Sequence, residues 1–303
     1  MESATKQTKQ TKQTKQKPTI DTLILSGGGP SGISYFGIFE SLFKNEILKE
    51  NLEGIKEIIT TSIGILATFC LLLGLNMDIG KGLIFGYDIA KMLDLDSLNI
   101  DDILVDFGLF RTDGIAQIFK SILKNFKVVE DMTLKELFDI SKIKLTVKVF
   151  NATQKTLEYI SHETNPDLSI ITLAEMTTAI PFFFKPVKYK GCLYVDGGMR
   201  GHFPIEECKS DKYLGIFIKG GCSPSNVITD LFPVLDFTYS LMINQDQVIC
   251  DIQNKKEDPR IIYIEVNYGL NFEMSKEEKE KIIELGYDEV EKHFKRHWVK
   301  DKA

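Results

Sequence analysis

Three stretches carry residues suited to chemistry at the ends of short apolar runs. Gly27-Gly28-Gly29-Pro30-Ser31-Gly32 follows the run Thr22–Ser26. Glycines admit φ > 0, so successive N–H groups there can converge on an anion at the start of the next helix. That anion could be a phosphate, a dinucleotide or a transient oxyanion. No Gly-Lys-Ser/Thr follows, which excludes a P-loop. Gly27, Gly29 and Gly32 fit a dinucleotide fingerprint whose acid would be Glu53, but Glu53 follows a polar helix end rather than a strand. Thr60-Thr61-Ser62-Ile63-Gly64 sets a serine between a strand-like and a helix-like run, where a strained elbow would present its hydroxyl as a nucleophile. In isolation such a serine more often bonds back inside a buried helix. Asp196-Gly197-Gly198 ends the run Leu193–Val195 and is either a turn or a carboxylate aimed into a cleft, the turn being favoured in isolation.

These residues need rigid elements to position them. Thr22–Ser26 reads as a strand, Gly32–Phe43 as a helix, "IKEIITTS" as a buried parallel strand and Ile63–Leu75 as a buried helix. That succession opens an α/β fold with a parallel sheet. Residues 76–140 read as mainly helical, with Thr133 and Glu136 spaced as a capping box. Lys144–Thr153 and Lys155–Ser161 alternate as paired strands, "CLYVDGG", "YLGIFIKGG" and "IIYIEV" supply further strands, and Ser275–Lys300 is a charged helix. Residues 1–18, with TKQ repeated, form a disordered tail, and residues 19–303 form a single domain.

Composition narrows the function classes. A net charge of −6 argues against a broad nucleic-acid surface. The five cysteines show no zinc-site spacing and read as reduced thiols. His293 and His297 stand four apart without an HExxH pattern, which favours a solvated helical face over a metal site. Ile58–Met77 carries no charge over 20 residues, the length of a membrane span, yet a buried strand, turn and helix share that hydropathy.

In order and spacing, the three constellations resemble the patatin-like phospholipases. "LILSGGGPSGISYFGIFESL" resembles that family's oxyanion loop and first helix, and "TTSIGILATFCLLLGL" its nucleophile elbow and buried helix. "GLFRTDGIAQIF" and "MTLKELFDISKIKLTVKVFNATQKT" are similar to its middle region, and "AEMTTAIPFFFKPVKYKGCLYVDGGMRGHFPI" to its acid-bearing segment. The resemblance spans residues 22–208 and is loose over the C-terminal extension 209–303. It implies a three-layer α/β fold, a mostly parallel central sheet with helices on both faces. It implies Ser62 as nucleophile and Asp196 as proton acceptor, a dyad that hydrolyses fatty-acyl esters of phospholipids or related lipids. Gly27, Gly28, Gly29 and Gly32 would form the oxyanion loop, Gly28 and Gly29 donating and Gly27 and Gly32 shaping it. Thr60, Gly64, Gly197 and Gly198 would support elbow and acid. The resemblance calls for no metal or cofactor. It implies a cytoplasmic protein without a transmembrane span, in peripheral contact with a lipid surface. Ile58–Met77 then becomes core strand and helix, while Phe182–Phe184 serve either membrane docking or core packing.

The chain also departs from the family pattern. Ser31 stands where Lys or Arg is usual, Thr60 where the elbow has Gly, Ile63 where a small residue is commoner, and Gly201-His202 where a pair of Asn is frequent. His202 is expected in a surface loop rather than near the cleft. An inactive member retaining the fold as a lipid-binding scaffold is the competing class. Because the TKQ repeat offers no apolar side chain to a core, deleting residues 1–17 is expected to leave the melting temperature nearly unchanged. A thermal scan showing a loss of several degrees would mean that the repeat packs.

Overall fold

The short apolar runs become strands in the computed structural model, which describes residues 17–74, 77–86, 101–125, 131–220, 258–266 and 273–298. The TKQ repeat, Cys222 and Cys250 lie outside these residues. The strands are β1 (Thr22–Leu25), β2 (Glu57–Thr61), β3 (Gly108–Phe110), β4 (Lys144–Asn151), β5 (Thr156–Ile160), β6 (Phe182–Phe184), β7 (Val187–Tyr189), β8 (Cys192–Asp196), β9 (Tyr213–Gly220) and β10 (Ile261–Val266). The main sheet runs β10-β9-β1-β2-β4-β8-β7, with β5 also paired to β4. From β10 to β4 all pairings are parallel; β5 and β8 join β4, and β7 joins β8, antiparallel. Every residue of β1 is buried, as are the last four of β2. This is why those strands read as continuous apolar runs: a parallel strand covered on both faces has no polar side to alternate with.

The helices flanking the sheet are α1 (Tyr35–Lys44), α2 (Gly64–Leu72), α3 (Met77–Gly86), α4 (Asp101–Asp106), α5 (Asp113–Asn125), α6 (Leu134–Ser141), α7 (Ile170–Thr178) and α8 (Lys276–His297). Each residue of α2 is buried, so the uncharged stretch from Ile58 is strand and core helix. Among the described residues no helix is long and apolar enough to cross a membrane. The Thr133–Glu136 capping box forms as its spacing predicts, and Ser275 with Glu278 builds a second one at the start of α8.

Three expectations change. The glycine-rich loop continues into a 3-10 turn, Gly29–Ser34, and α1 starts only at Tyr35. β3 interrupts the segment read as helical; it exists because it pairs in parallel with β6, Gly108 opposite Phe182, a partner no local pattern announces. His293 is half-buried rather than fully solvated: its ring packs edge-on against Trp298, its Nε2 lies 3.0 Å from the Pro259 carbonyl, and burial lowers its pKa to about 4.

The long C-terminal helix lies directly on α1. A Cβ on Gly37 would stand 1.8 Å from the Ile283 carbonyl oxygen, and one on Gly286 would stand 2.4 Å from the Ser34 carbonyl oxygen. The two backbones therefore touch through reciprocal glycines, and α8 buries Ile282, Ile283 and Val290 beside that contact. Gly37→Ala is expected to force the helices apart and cost about 3 kcal/mol, since overpacking against backbone has no side chain to yield. Gly82→Ala in α3, with open space around it, should instead be neutral or stabilise by roughly 0.5–1 kcal/mol. Urea titration of both variants checks the contrast.

Candidate active site

Ser62 follows β2 and precedes α2 with φ of 52°, left-handed for a non-glycine residue. Its N–H donates to Thr177 Oγ1 at 2.8 Å, and the Thr177 hydroxyl donates to the Lys148 carbonyl at 2.9 Å. The Thr61 hydroxyl reaches the same carbonyl at 3.3 Å. These bonds fix the elbow from α7 and β4 and offset a conformation that costs of order 1–3 kcal/mol.

Asp196 arrives through strand register. The pairing of β2 with β4 ends at Thr61 opposite Lys148, and that of β8 with β4 includes Asp196 opposite Val149. Adjacent positions on β4 thus receive the ends of both strands, bringing together residues far apart in sequence. Asp196 is buried, and its Oδ1 accepts the Gly198 N–H at 2.7 Å. The Ser62 side chain interacts with the carboxyl and lowers its pKa, yet Oδ2 has no hydrogen-bond partner of ordinary geometry among the described residues. The hydroxyl and carboxyl are neighbours whose hydrogen bond is loose, a state from which catalytic contacts commonly tighten around substrate. Burial dominates and lifts Asp196 to about 7; the Ser62 side chain, the Gly198 N–H and the Lys148 charge each pull the other way.

The glycine loop folds over the serine. A Cβ on Gly27 would come within 2.9 Å of Ser62 Cβ. Gly27 N–H is already committed to the His202 carbonyl at 2.7 Å, which removes it from the set of anion donors. Gly28 and Gly29 N–H enter no backbone hydrogen bond among the described residues, and Gly29 turns left-handed at φ 51°. Gly32 donates space instead: a Cβ there would meet Ile63 Cγ2 at 2.5 Å. In the same way a Cβ on Gly64 would stand 2.3 Å from Thr60 Oγ1, and one on Gly197 2.5 Å from the Lys148 carbonyl oxygen. Ser26 anchors the loop, donating to the Gly27 carbonyl at 2.8 Å and accepting the Ile218 N–H at 2.8 Å. Ser31 is fully buried in the turn.

His202 is buried and stands beneath this loop, not in a surface loop as the sequence suggested. Its Nε2 lies 3.1 Å from the Ile218 carbonyl and its ring stacks on Phe217. Burial lowers its pKa to about 4, so it is neutral near pH 7 and donates from Nε2. Glu53 lies on the surface in an ion pair with Lys49, so β2 ends in the serine elbow without the acid a dinucleotide site requires.

Residues that sequence spacing did not single out complete the site. Lys148 is wholly buried, and its Nζ donates to the Arg200 and Gly201 carbonyls at 2.8 and 2.7 Å and to Glu206 at 2.5 Å. Beside Ser62 opens an apolar cavity of about 80 Å³ lined by Ile63, Leu66, Ile115, Ile118, Phe119 and Ile180, with Arg111 also on its wall. Lys148 follows Lys144 and Thr146 in the alternating strand "KLTVKVF", so the local pattern does not mark it as buried; the cavity walls have no signal either, being apolar positions of helices and adjoining turns.

The alpha/beta fold thus places the serine elbow, the buried carboxyl and the glycine loop at neighbouring strand ends. The sequence profile of the patatin-like phospholipases matches residues 23–209, and the chain belongs to that family. Over 186 residues it is 30% identical to a probable lipid hydrolase of Invertebrate iridescent virus 6, a match covering 61% of this chain and 62% of that protein. It therefore spans somewhat less than two thirds of this relative. An uncharacterised protein of Acanthamoeba polyphaga mimivirus is 24% identical over 91% of this chain and 94% of its own length. VipD from Legionella pneumophila shares the fold at a TM-score of 0.61 with 19% identity, over 92% of this chain and 67% of VipD. The type III effector ExoU shares it at 0.52 with 15% identity, over 94% of this chain and 54% of that one.

Lys148→Met tests how the acid loop is held. It leaves buried carbonyls at Arg200 and Gly201 unpaired, while Glu206, a third exposed, can rehydrate. The expected loss is about 2–4 kcal/mol of stability. Denaturant titration against the wild type reads the loss.

Proposed function

We propose that the protein hydrolyses fatty-acyl esters of phospholipids or related lipids at a membrane surface. The observation that carries this reading is a left-handed serine that lines an apolar cavity and lies beside a buried carboxyl with a pKa of about 7. Asp196 takes the Ser62 proton as Oγ attacks the ester carbonyl carbon, and Gly28 and Gly29 N–H groups receive the negative charge on the carbonyl oxygen. Collapse breaks the ester C–O bond, and Asp196 returns the proton to the departing alcohol. Water, deprotonated by the same carboxylate, then attacks acyl-Ser62; the bond from Ser62 Oγ to the acyl carbon breaks, Asp196 returns the proton to Oγ, and the fatty acid leaves. The acyl chain lies along Ile63, Leu66, Ile118 and Phe119 in the cavity, which excludes water from the reacting carbonyl. His202 is neutral and bonded to the Ile218 carbonyl, which supports a dyad over a triad.

Ser62→Ala is expected to fold normally, to hydrolyse no ester above background and to resist a fluorophosphonate that labels the wild-type protein. Absence of labelling on the wild type would favour a lipid-binding scaffold. The pH dependence follows from Asp196. A base must be ionised, so kcat/KM should rise with pH and reach half its plateau near pH 7. Stability runs oppositely. The folded pKa lies above the unfolded value of about 3.9. The native state therefore holds a proton the unfolded chain releases, and this contribution is complete below about pH 4 and is lost as pH rises through about 7. Asp196→Asn should abolish hydrolysis and raise the melting temperature relative to wild type at pH 8 more than at pH 5.

A further inference from the structure

Two phenylalanines hold left-handed backbone conformations, Phe107 at φ 62° and Phe182 at φ 67°. For a bulky aromatic residue this is a genuine outlier, and neither uses it to reach the core. Phe107 is 57% exposed, Phe182 42%, and nearby Val105 73%. The two aromatics are neighbours: Phe107 directly precedes β3, whose Gly108 is the register partner of Phe182 on β6. The remaining aromatics of this small sheet face inward, Phe110 packing on the buried Phe183 with ring centres 4.9 Å apart. The same sheet borders the cavity beside Ser62, because Phe184 of β6 and Arg111, immediately after β3, line it.

Among the described residues two ion pairs border the patch. Arg111 Nε bonds Asp113 at 2.6 Å, and Lys185 Nζ bonds Asp106 at 2.8 Å. A patch of this kind is apolar, carries balanced ion pairs at its rim and gains nothing from an anionic surface. An acyl chain that moves from a bilayer into the cavity avoids water only if the cavity mouth sits on the bilayer.

We propose that Val105, Phe107 and Phe182 form the surface that seats the protein on a lipid bilayer with zwitterionic headgroups, the side chains entering the acyl boundary beside the cavity mouth. The proposal rests on the lipid-hydrolase reading and names how that substrate is met. The left-handed turns at Phe107 and Phe182 present each ring on a short, rigid strand end.

The test is sedimentation of the full chain with phosphatidylcholine vesicles, performed on Ser62→Ala so that the lipid stays intact. Binding is expected, unchanged by raised salt because it is not driven by charge. Phe107→Asn with Phe182→Asn keeps residues that tolerate the left-handed region and should weaken binding at least about tenfold. With Ser62 present, the same pair should hydrolyse a soluble short-chain ester at the wild-type rate. Ile140→Asn, an equally exposed site on α6 near the opposite end of β4, should bind like wild type. Val105→Asn, at a helix end without backbone strain, is the second probe if the double variant does not fold. Undiminished vesicle binding by a folded patch variant overturns the proposal, as does binding abolished by salt. So does a wild-type dimer that the variants split without any vesicle binding, which would assign the patch to self-association. Vesicle binding through the patch with no hydrolysis by the wild type would sink the hydrolase reading and leave the docking surface standing.

Discussion

The site depends on one residue of one central strand, Lys148 of β4. Its carbonyl accepts the hydroxyls of Thr61 and Thr177, and Thr177 in turn holds the Ser62 N–H. Its ammonium, at the far end of the same residue, ties down the Arg200–Gly201 backbone just past Asp196. The elbow and the acid loop are thus bonded to a common support in the rigid middle of the sheet. A buried ammonium normally carries a heavy desolvation cost, here offset by two carbonyls and the Glu206 carboxylate. Gly197 belongs to the same arrangement, because only a residue without Cβ can lie flat against the Lys148 carbonyl.

Around that support the site departs from what stability alone would select. A serine stands in the left-handed region, a carboxyl is buried with one oxygen unpaired, and a neutral histidine leaves its Nδ1 without a partner among the described residues. Each is unfavourable in itself, and the sheet and helices over-determine the geometry enough to keep them. The raised pKa of Asp196 is the clearest case: the burial that costs stability at high pH is also what lifts the carboxyl's titration to about 7.

The departures from the family pattern are absorbed locally. Thr60 is bulkier than the glycine usual at its position, but its hydroxyl bonds the Leu25 carbonyl and occupies room that Gly64 leaves open. Ile63 packs where Gly32 has no side chain. Bulk in the elbow is met by glycine across from it, so strand and helix keep their close approach.

The order of strand, loop, elbow and helix was legible in the sequence, as were the places of Ser62 at a strand–helix junction, Asp196 at a strand end and the glycines in the loop after β1. Apolar runs, glycine clusters and caps are local consequences of backbone sterics and burial, and the motif positions carry the family resemblance. What only the tertiary structure decided are relations between distant residues. Strand register set Asp196 beside Ser62, and the pairing of β3 with β6 turned Phe107 and Phe182 outward while burying Phe183 and Phe184. The close packing under the loop carried His202 inside, where its carbonyl takes Gly27 N–H, while Gly28 and Gly29 N–H enter no backbone hydrogen bond among the described residues. Hydrogen-bond allocation, burial and a carboxyl's pKa are set by which backbone comes to lie against which, and a linear pattern does not encode that proximity.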